Sequence, residues 1–276
     1  MGRLGDLCGN LRARGERPLV PFLTAGFPDD ARCRAALRGV RDAGCSLVEI
    51  GVPFSDPVAD GPVIQAASQQ ALARGMTPPQ ALELAAWASA ELGLAVALMG
   101  YLNPVLRQGE AVFAAAAAAA GAVGVIVPDL PLEEAGSLRA ELAARQVDLV
   151  SLVAPTTGPE RLGRAAAASS GFLYLVSVAG VTGAATGAGD GLENYVARVR
   201  AACSLPLYVG FGVGTPAQAA RVTACADGVI VGSALLRRLG TAADAGQAQA
   251  LARDFCGELR AAMAPGPKAG GKDRHE

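Results

Sequence analysis

Glu49 stands between apolar β-branched neighbours, in the run Leu47-Val48-Glu49-Ile50-Gly51. Burying a carboxylate in such a run is unfavourable unless it finds a partner or keeps its proton. Two readings follow. Glu49 could pair with a cation inside a sheet core, or it could be a general acid–base whose pKa is pushed up by its apolar setting. The loop that follows, Pro53-Phe54-Ser55-Asp56-Pro57-Val58-Ala59-Asp60-Gly61-Pro62, is shaped by three prolines and a glycine and presents two more carboxylates. Asp60 could cap a helix starting near Pro62, and Asp56 ahead of Pro57 could be turn chemistry. Taken with Glu49, Asp60 also makes a pair of carboxylates in unlike surroundings, a recurrent way to divide acid and base roles.

The second half of the chain carries a different chemistry. Gly180-Val181-Thr182-Gly183, Gly210-Phe211-Gly212 and Gly232-Ser233 each follow a short apolar run, and Ser233 opens a short helix. Glycine at such places lets backbone N–H groups approach a ligand closely, and amides at a helix start favour an anion. Gly183, Gly212, Gly232 and Ser233 are therefore candidate phosphate binders. Phe22, Met99, Tyr101, Val127, Tyr174, Phe211 and Ile230 lie at the ends of apolar runs. Singly each reads as packing; together they could line a flat apolar pocket beside the carboxylates.

These residues need a frame that gathers strand ends in one place. Eight strand-like runs occur, at 19–23, 47–51, 95–100, 123–127, 148–152, 172–176, 207–210 and 228–231. Helical stretches are expected between them, among them 29–42, 79–91, 133–145, 159–168, 192–202 and 216–223, several opened by Thr-Pro or Pro-Glu. Strands without polar alternation are buried on both faces, as in a parallel sheet covered by helices. Eight β–α units in 276 residues favour an α/β fold, a single closed (β/α)8 TIM barrel over 1–264, against an open doubly wound sheet. Residues 265–276, rich in Gly, Lys and Pro, read as a disordered tail. In a barrel, chemistry sits above the carboxyl ends of the strands.

Composition narrows the partners. With 24 basic against 25 acidic residues the net charge is −1, which gives no electrostatic reason to expect nucleic acid or an anionic membrane. The six cysteines are scattered without a C-x-x-C pair and the single histidine is His275, so no metal site and no cofactor are expected. Residues 1–18 hold Arg3, Arg12, Arg14 and Arg17 and no apolar core, unlike a signal peptide, and no apolar stretch has the length of a membrane span. A cytoplasmic protein is expected.

The segment from Val48 to Pro62 closely resembles the signature of the tryptophan synthase α subunit family. Pro21-Phe22-Leu23-Thr24-Ala25-Gly26, Gly100-Tyr101-Leu102-Asn103-Pro104, Val127-Pro128-Asp129-Leu130-Pro131, Val181-Thr182-Gly183 and the stretch from Ala226 to Ala234 continue the resemblance, collinearly from about Pro18 to Leu259. The resemblance implies a lyase of amino-acid biosynthesis that cleaves indole-3-glycerol phosphate to indole and glyceraldehyde 3-phosphate. It further implies that Glu49 shuttles protons, that Asp60 stabilises charge at the indole N–H, and that Tyr174 helps position Glu49. A pyridoxal-phosphate β subunit is the implied partner, in an α2β2 heterotetramer that passes indole between subunits. The partner-facing residues would be Pro53, Asp56, Pro57, Asn103, Asp129 and Pro131. The chain departs from the family pattern at Val178, at Ala185 and at Phe27, and its Gly/Ala-rich loop 184–191 is expected to close weakly without a partner. Two other readings share these motifs: a lyase acting alone, and a non-catalytic regulator of a β subunit.

Overall fold

The computed structural model describes residues 2–176, 191–210 and 212–264. Eight strands, β1 (Leu19–Thr24), β2 (Leu47–Gly51), β3 (Ala95–Met99), β4 (Ala122–Ile126), β5 (Asp148–Val153), β6 (Leu173–Val176), β7 (Leu207–Gly210) and β8 (Gly228–Val231), pair in parallel and in chain order. β8 returns to β1, so the sheet closes into a barrel and the open-sheet alternative is excluded. All eight fall within two residues of the runs expected from the sequence.

Twelve helices are seen among the described residues: α1 (Arg3–Ala13), α2 (Asp30–Asp42), α3 (Pro62–Ala73), α4 (Pro78–Leu92), α5 (Leu102–Gln108), α6 (Glu110–Ala119), α7 (Gly136–Ala143), α8 (Pro159–Ala168), α9 (Gly191–Ala202), α10 (Pro216–Thr223), α11 (Ser233–Leu239) and α12 (Ala245–Met263). Thr77 and Thr215 each form a capping box with the Gln three residues on, so α4 and α10 start at their Thr-Pro pairs. α7 is shorter than the expected 133–145. The carboxylate of Glu133, which would have opened it, instead faces Arg161 and Arg164 across the surface.

The first helix has no counterpart in the sequence reading. Its apolar positions are sparse, but Leu4, Cys8 and Leu11 recur every three to four residues and all are buried. Leu4 closes on the backbones of Gly124 and Gly171, which places α1 across the amino-terminal mouth of the barrel as a plug. Asp148, the first residue of β5, turns its carboxylate onto this helix and accepts hydrogen bonds from Gly2 N–H at 3.1 Å and Gly5 N–H at 2.9 Å. An anion there satisfies orphan amides and complements the helix dipole. Asp148→Ala is expected to lower stability by about 2–3 kcal/mol through the lost cap and charge-assisted bonds. Urea unfolding checks this, and an unchanged midpoint would show that α1 is held by packing alone.

Candidate active site

Parallel register fixes which side chains enter the barrel, because paired residues share a face and residues two apart along a strand share it too. Phe22 pairs with Glu49, Gly51 with Met99, Met99 with Ile126, and Tyr174 with Tyr208. Ile230 pairs with Val20, two residues before Phe22. Phe22, Glu49, Met99, Tyr174 and Ile230 therefore point inward. Phe22 lies against Gly51 and Gly232, where a side chain would strike its ring. Val127 differs. Alternation puts Ile126 on the inward face, and Val127, one residue beyond the end of β4, lines a cleft with Pro128 to Leu132 and Ser151. Ile126 and Val127 look alike in this apolar run, and only the pairing of β4 with β3 marks Ile126 as inward.

Glu49 is 1% exposed, and neither carboxylate oxygen has a hydrogen-bond partner among the described residues. No cation among the described residues forms an ion pair with it, so the ion-pair reading of the sequence finds no support there. Burial pushes its pKa up to about 8, with the negative charge of Asp60 adding to the rise. Asp60 does not cap α3, whose N-cap is Gly61 with no side-chain bond. Its Oδ2 instead accepts a hydrogen bond of 2.9 Å from the Tyr101 hydroxyl. Burial raises the Asp60 pKa to about 6, and the Tyr101 bond moderates that rise. One carboxyl thus holds its proton at neutral pH while its neighbour has mostly lost its own.

Tyr174 is buried, and its hydroxyl is raised well above its ordinary pKa by burial first and then by Glu49 and Asp60. It remains a phenol. A Cβ at Gly210 would come within 2.6 Å of its Cε1 and 2.7 Å of its Cζ, so glycine at this position is what admits the ring. Thr24 was not singled out by sequence, yet it points inward beyond Phe22 and its buried Oγ1 has no partner among the described residues. The β1 run alone could have flagged it, as the one hydroxyl ending an apolar strand.

The loop of 53–62 folds over this mouth. Asp60 N–H donates to Pro57 O at 3.0 Å, and Gln65 Nε2 reaches Asp60 O at 2.9 Å. Ala59 N–H donates to the Tyr101 hydroxyl at 3.1 Å, so this phenol ties the loop to α5. Asp56 is exposed, while Pro53 and Pro57 are buried. Asn103 and Pro131 are exposed. Asp129 is partly committed: its Oδ1 accepts from Leu102 N–H at 2.9 Å and caps α5 from a distant loop. Opposite, Gly212 has a positive φ of 80° at the end of β7, and Gly232 precedes Ser233, the first residue of α11. Ser233 and the two amides after it start a helix and lack intrahelical acceptors. Gly183, Phe211, Val178, Ala185, loop residues 184–190 and the expected tail from 265 lie outside the described residues.

No helix among the described residues is long and apolar enough to cross a membrane. The family model described as tryptophan synthase alpha chain matches residues 9–264. The tryptophan synthase alpha chain of Chloroflexus aurantiacus is 48% identical over 240 residues, 87% of this chain and 90% of that protein. That of Synechocystis is 47% identical over 254 residues, 92% and 96% of the two. Among solved structures, a chain of Mycobacterium tuberculosis tryptophan synthase superposes with a TM-score of 0.87 at 39% identity, covering 96% of this chain and 99% of that one. The alpha subunit from Legionella pneumophila gives the same TM-score at 34% identity, with 95% and 98% covered.

Proposed function

The chain belongs to the tryptophan synthase alpha chain family, and from that premise we propose how its barrel mouth carries out the carbon–carbon lyase reaction, cleavage of indole-3-glycerol phosphate to indole and glyceraldehyde 3-phosphate. The observation that carries the reading is a buried Glu49 carboxyl without a hydrogen-bond partner among the described residues, facing an Asp60 carboxylate held by Tyr101; burial raises both pKa values, that of Glu49 the further.

A retro-aldol cleavage needs a proton delivered to indole C3 and another taken from the side-chain hydroxyl. Glu49 starts protonated and gives its proton to C3, leaving positive charge on the ring at N–H. The Asp60 carboxylate, aimed by Tyr101, faces that charge in a low-dielectric setting where it counts most. Glu49, now a carboxylate, accepts the hydroxyl proton. The C–C bond breaks, its electron pair returns to the ring, and the carbinol carbon becomes the aldehyde. Glu49 ends as it began, so the proton count balances. Tyr174 packs beside Glu49 and sets its position. Phe22, Met99, Tyr101 and Ile230, with Phe211 from the adjoining segment, enclose the indole. Backbone amides of Gly183, Gly212, Gly232 and Ser233 hold the phosphate.

The partner is a β subunit, in an α2β2 assembly in the cytoplasm, with residues 1–264 as one barrel domain. Val58, next to Pro57, is 80% exposed and Leu106, on the same helix as Asn103, is 57% exposed; large apolar side chains left in water suit a face that another protein covers.

The test is indole release from indole-3-glycerol phosphate by the purified chain, with and without a β subunit. Release that rises on adding the β subunit is expected. Release indifferent to β would favour a lyase acting alone, and none under either condition would leave a regulator without chemistry. Gly210→Ala probes Tyr174: overpacking of about 1–3 kcal/mol pushes the ring off its place. Turnover is expected to fall at least about tenfold, because small misplacements at a reacting centre are amplified. A variant with wild-type kcat would remove Tyr174 from the mechanism.

A further inference from the structure

Tyr101 is the only link between the carboxylate of Asp60 and the rest of the barrel that the described residues provide, and its own orientation is set from outside the site. Asp129 fixes the backbone just after it through the Leu102 N–H. The hydroxyl's place then depends on χ1 of the side chain. On one side it meets Phe54, with ring centroids 5.2 Å apart and planes at 25°, a stacked pair. Such pairs contribute directional attraction beyond simple burial. Phe54 itself is half-buried and lies between Pro53 and Ser55 at the outer edge of the loop, while Tyr101 is only 4% exposed. The phenol donates to Asp60 Oδ2 and accepts from Ala59 N–H, so a swing of the ring about χ1, which carries the hydroxyl with it, would break both bonds at once.

We propose that Phe54 is a positioning residue for Asp60, acting through the stacked ring of Tyr101. A phenyl ring cannot hydrogen-bond a carboxylate, so its influence on Asp60 runs through the stacked Tyr101. Its ring holds Tyr101 in the one orientation that aims a hydroxyl at Asp60 Oδ2, and Asp60 Oδ1 is left for the indole N–H. The proposal rests on the lyase reading above. It also makes the loop that bears the expected partner-facing residues the same loop that sets the geometry of the catalytic carboxylate.

Removing the phenol's bond raises the Asp60 pKa, because the bond favours the charged form. Asp60 faces Glu49 from β2, Tyr101 from the start of α5 and Tyr174 from β6, and Asp129 faces Tyr101 from the loop after β4. Of these, Tyr101 is the ring that stacks on Phe54, and the path from Phe54 to Asp60 runs through it.

The experiment measures kcat, KM and the pH profile of kcat/KM for indole release by the isolated chain, so that partner docking does not enter. Four variants are compared with the wild type: Phe54→Leu, Phe54→Tyr, Tyr101→Phe, and Phe54→Leu with Tyr101→Phe. Phe54→Leu is expected to lower kcat by about five- to twentyfold with KM within about twofold, and to move the acid limb to higher pH, as Tyr101→Phe does. Phe54→Tyr keeps the stack and restores both values. The double variant is no worse than Tyr101→Phe alone, since both changes break one path. An unmoved acid limb in Phe54→Leu, or losses that multiply in the double variant, would overturn the proposal. A Phe54→Leu chain that does not fold leaves the decision to Phe54→Tyr and to Phe54→Met, which keeps bulk without the ring and must show the same shift. No indole from the wild-type chain would sink the lyase reading itself, and this proposal with it.

Discussion

Glu49→Gln is expected to reduce indole release by about 10³-fold or more, and at the same time to make the protein harder to unfold at neutral pH. The loss follows from the double duty of one group. Glutamine can neither give a proton to indole C3 nor accept one from the hydroxyl, and each proton transfer contributes on the order of 10²–10⁴ in rate. The gain follows from burial. In the folded chain the Glu49 carboxyl ionises only near 8, against an ordinary value of 4.5. Below 4.5 both folded and unfolded chains hold the proton, and the group is neutral in its effect on folding. Between 4.5 and 8 the unfolded chain releases the proton and the folded chain keeps it, so stability is lost as pH rises through that window. At pH 7 the penalty is about 3 kcal/mol. Glutamine escapes it, although its amide keeps unpartnered donors in the same apolar place, so a net gain of about 1–3 kcal/mol is expected. Urea or thermal unfolding of both proteins at pH 5, 7 and 8.5 checks the sign. The gap should be small at the lowest pH and widest at the highest. A gap independent of pH would mean that Glu49 is ionised in the folded protein, and the order of proton transfers proposed above would have to be reversed.

Much of this site could be read from residue order, and what could not has a common physical cause. β2, β7 and β8 end where their apolar runs end, because a strand buried on both faces has no reason to admit a polar residue except for chemistry. That is why Glu49 stands out. The two roles open to Asp60 in the sequence could not be separated there, since a cap is local and its actual bond reaches Tyr101, 41 residues on. The same limit hid α1: its first amides are bound by Asp148, 146 residues away from Gly2. Asp129 reads as a surface residue in a proline-rich loop, yet it caps α5 from 27 residues away. Val127 illustrates a second limit. A continuous apolar run does not say which residues face in, and register with Met99 decides in favour of Ile126. Periodicity tells the element; only pairing tells the face.

Asp60→Asn is expected to lower kcat/KM by about 10²–10³-fold, the usual range for removing one preorganised charge-stabilising group. Its pH dependence distinguishes this role from a structural one. In the wild-type chain activity should rise through about pH 6 as Asp60 ionises and fall through about pH 8 as Glu49 loses its proton. The two carboxyls interact, so the limbs belong to the pair. Asparagine carries no charge at any pH, and the rising limb should vanish. The falling limb should move as well, and its direction is fixed. The Asp60 charge is one of the causes that hold the Glu49 pKa up, so without it Glu49 ionises earlier and the decline begins at lower pH. A profile that is merely scaled down, with both limbs in place, would assign the acid limb to another group and leave Asp60 a member of the loop scaffold. A profile flat on the acid side and truncated on the alkaline side would place both carboxylates in one electrostatic unit, each setting the proton inventory of the other.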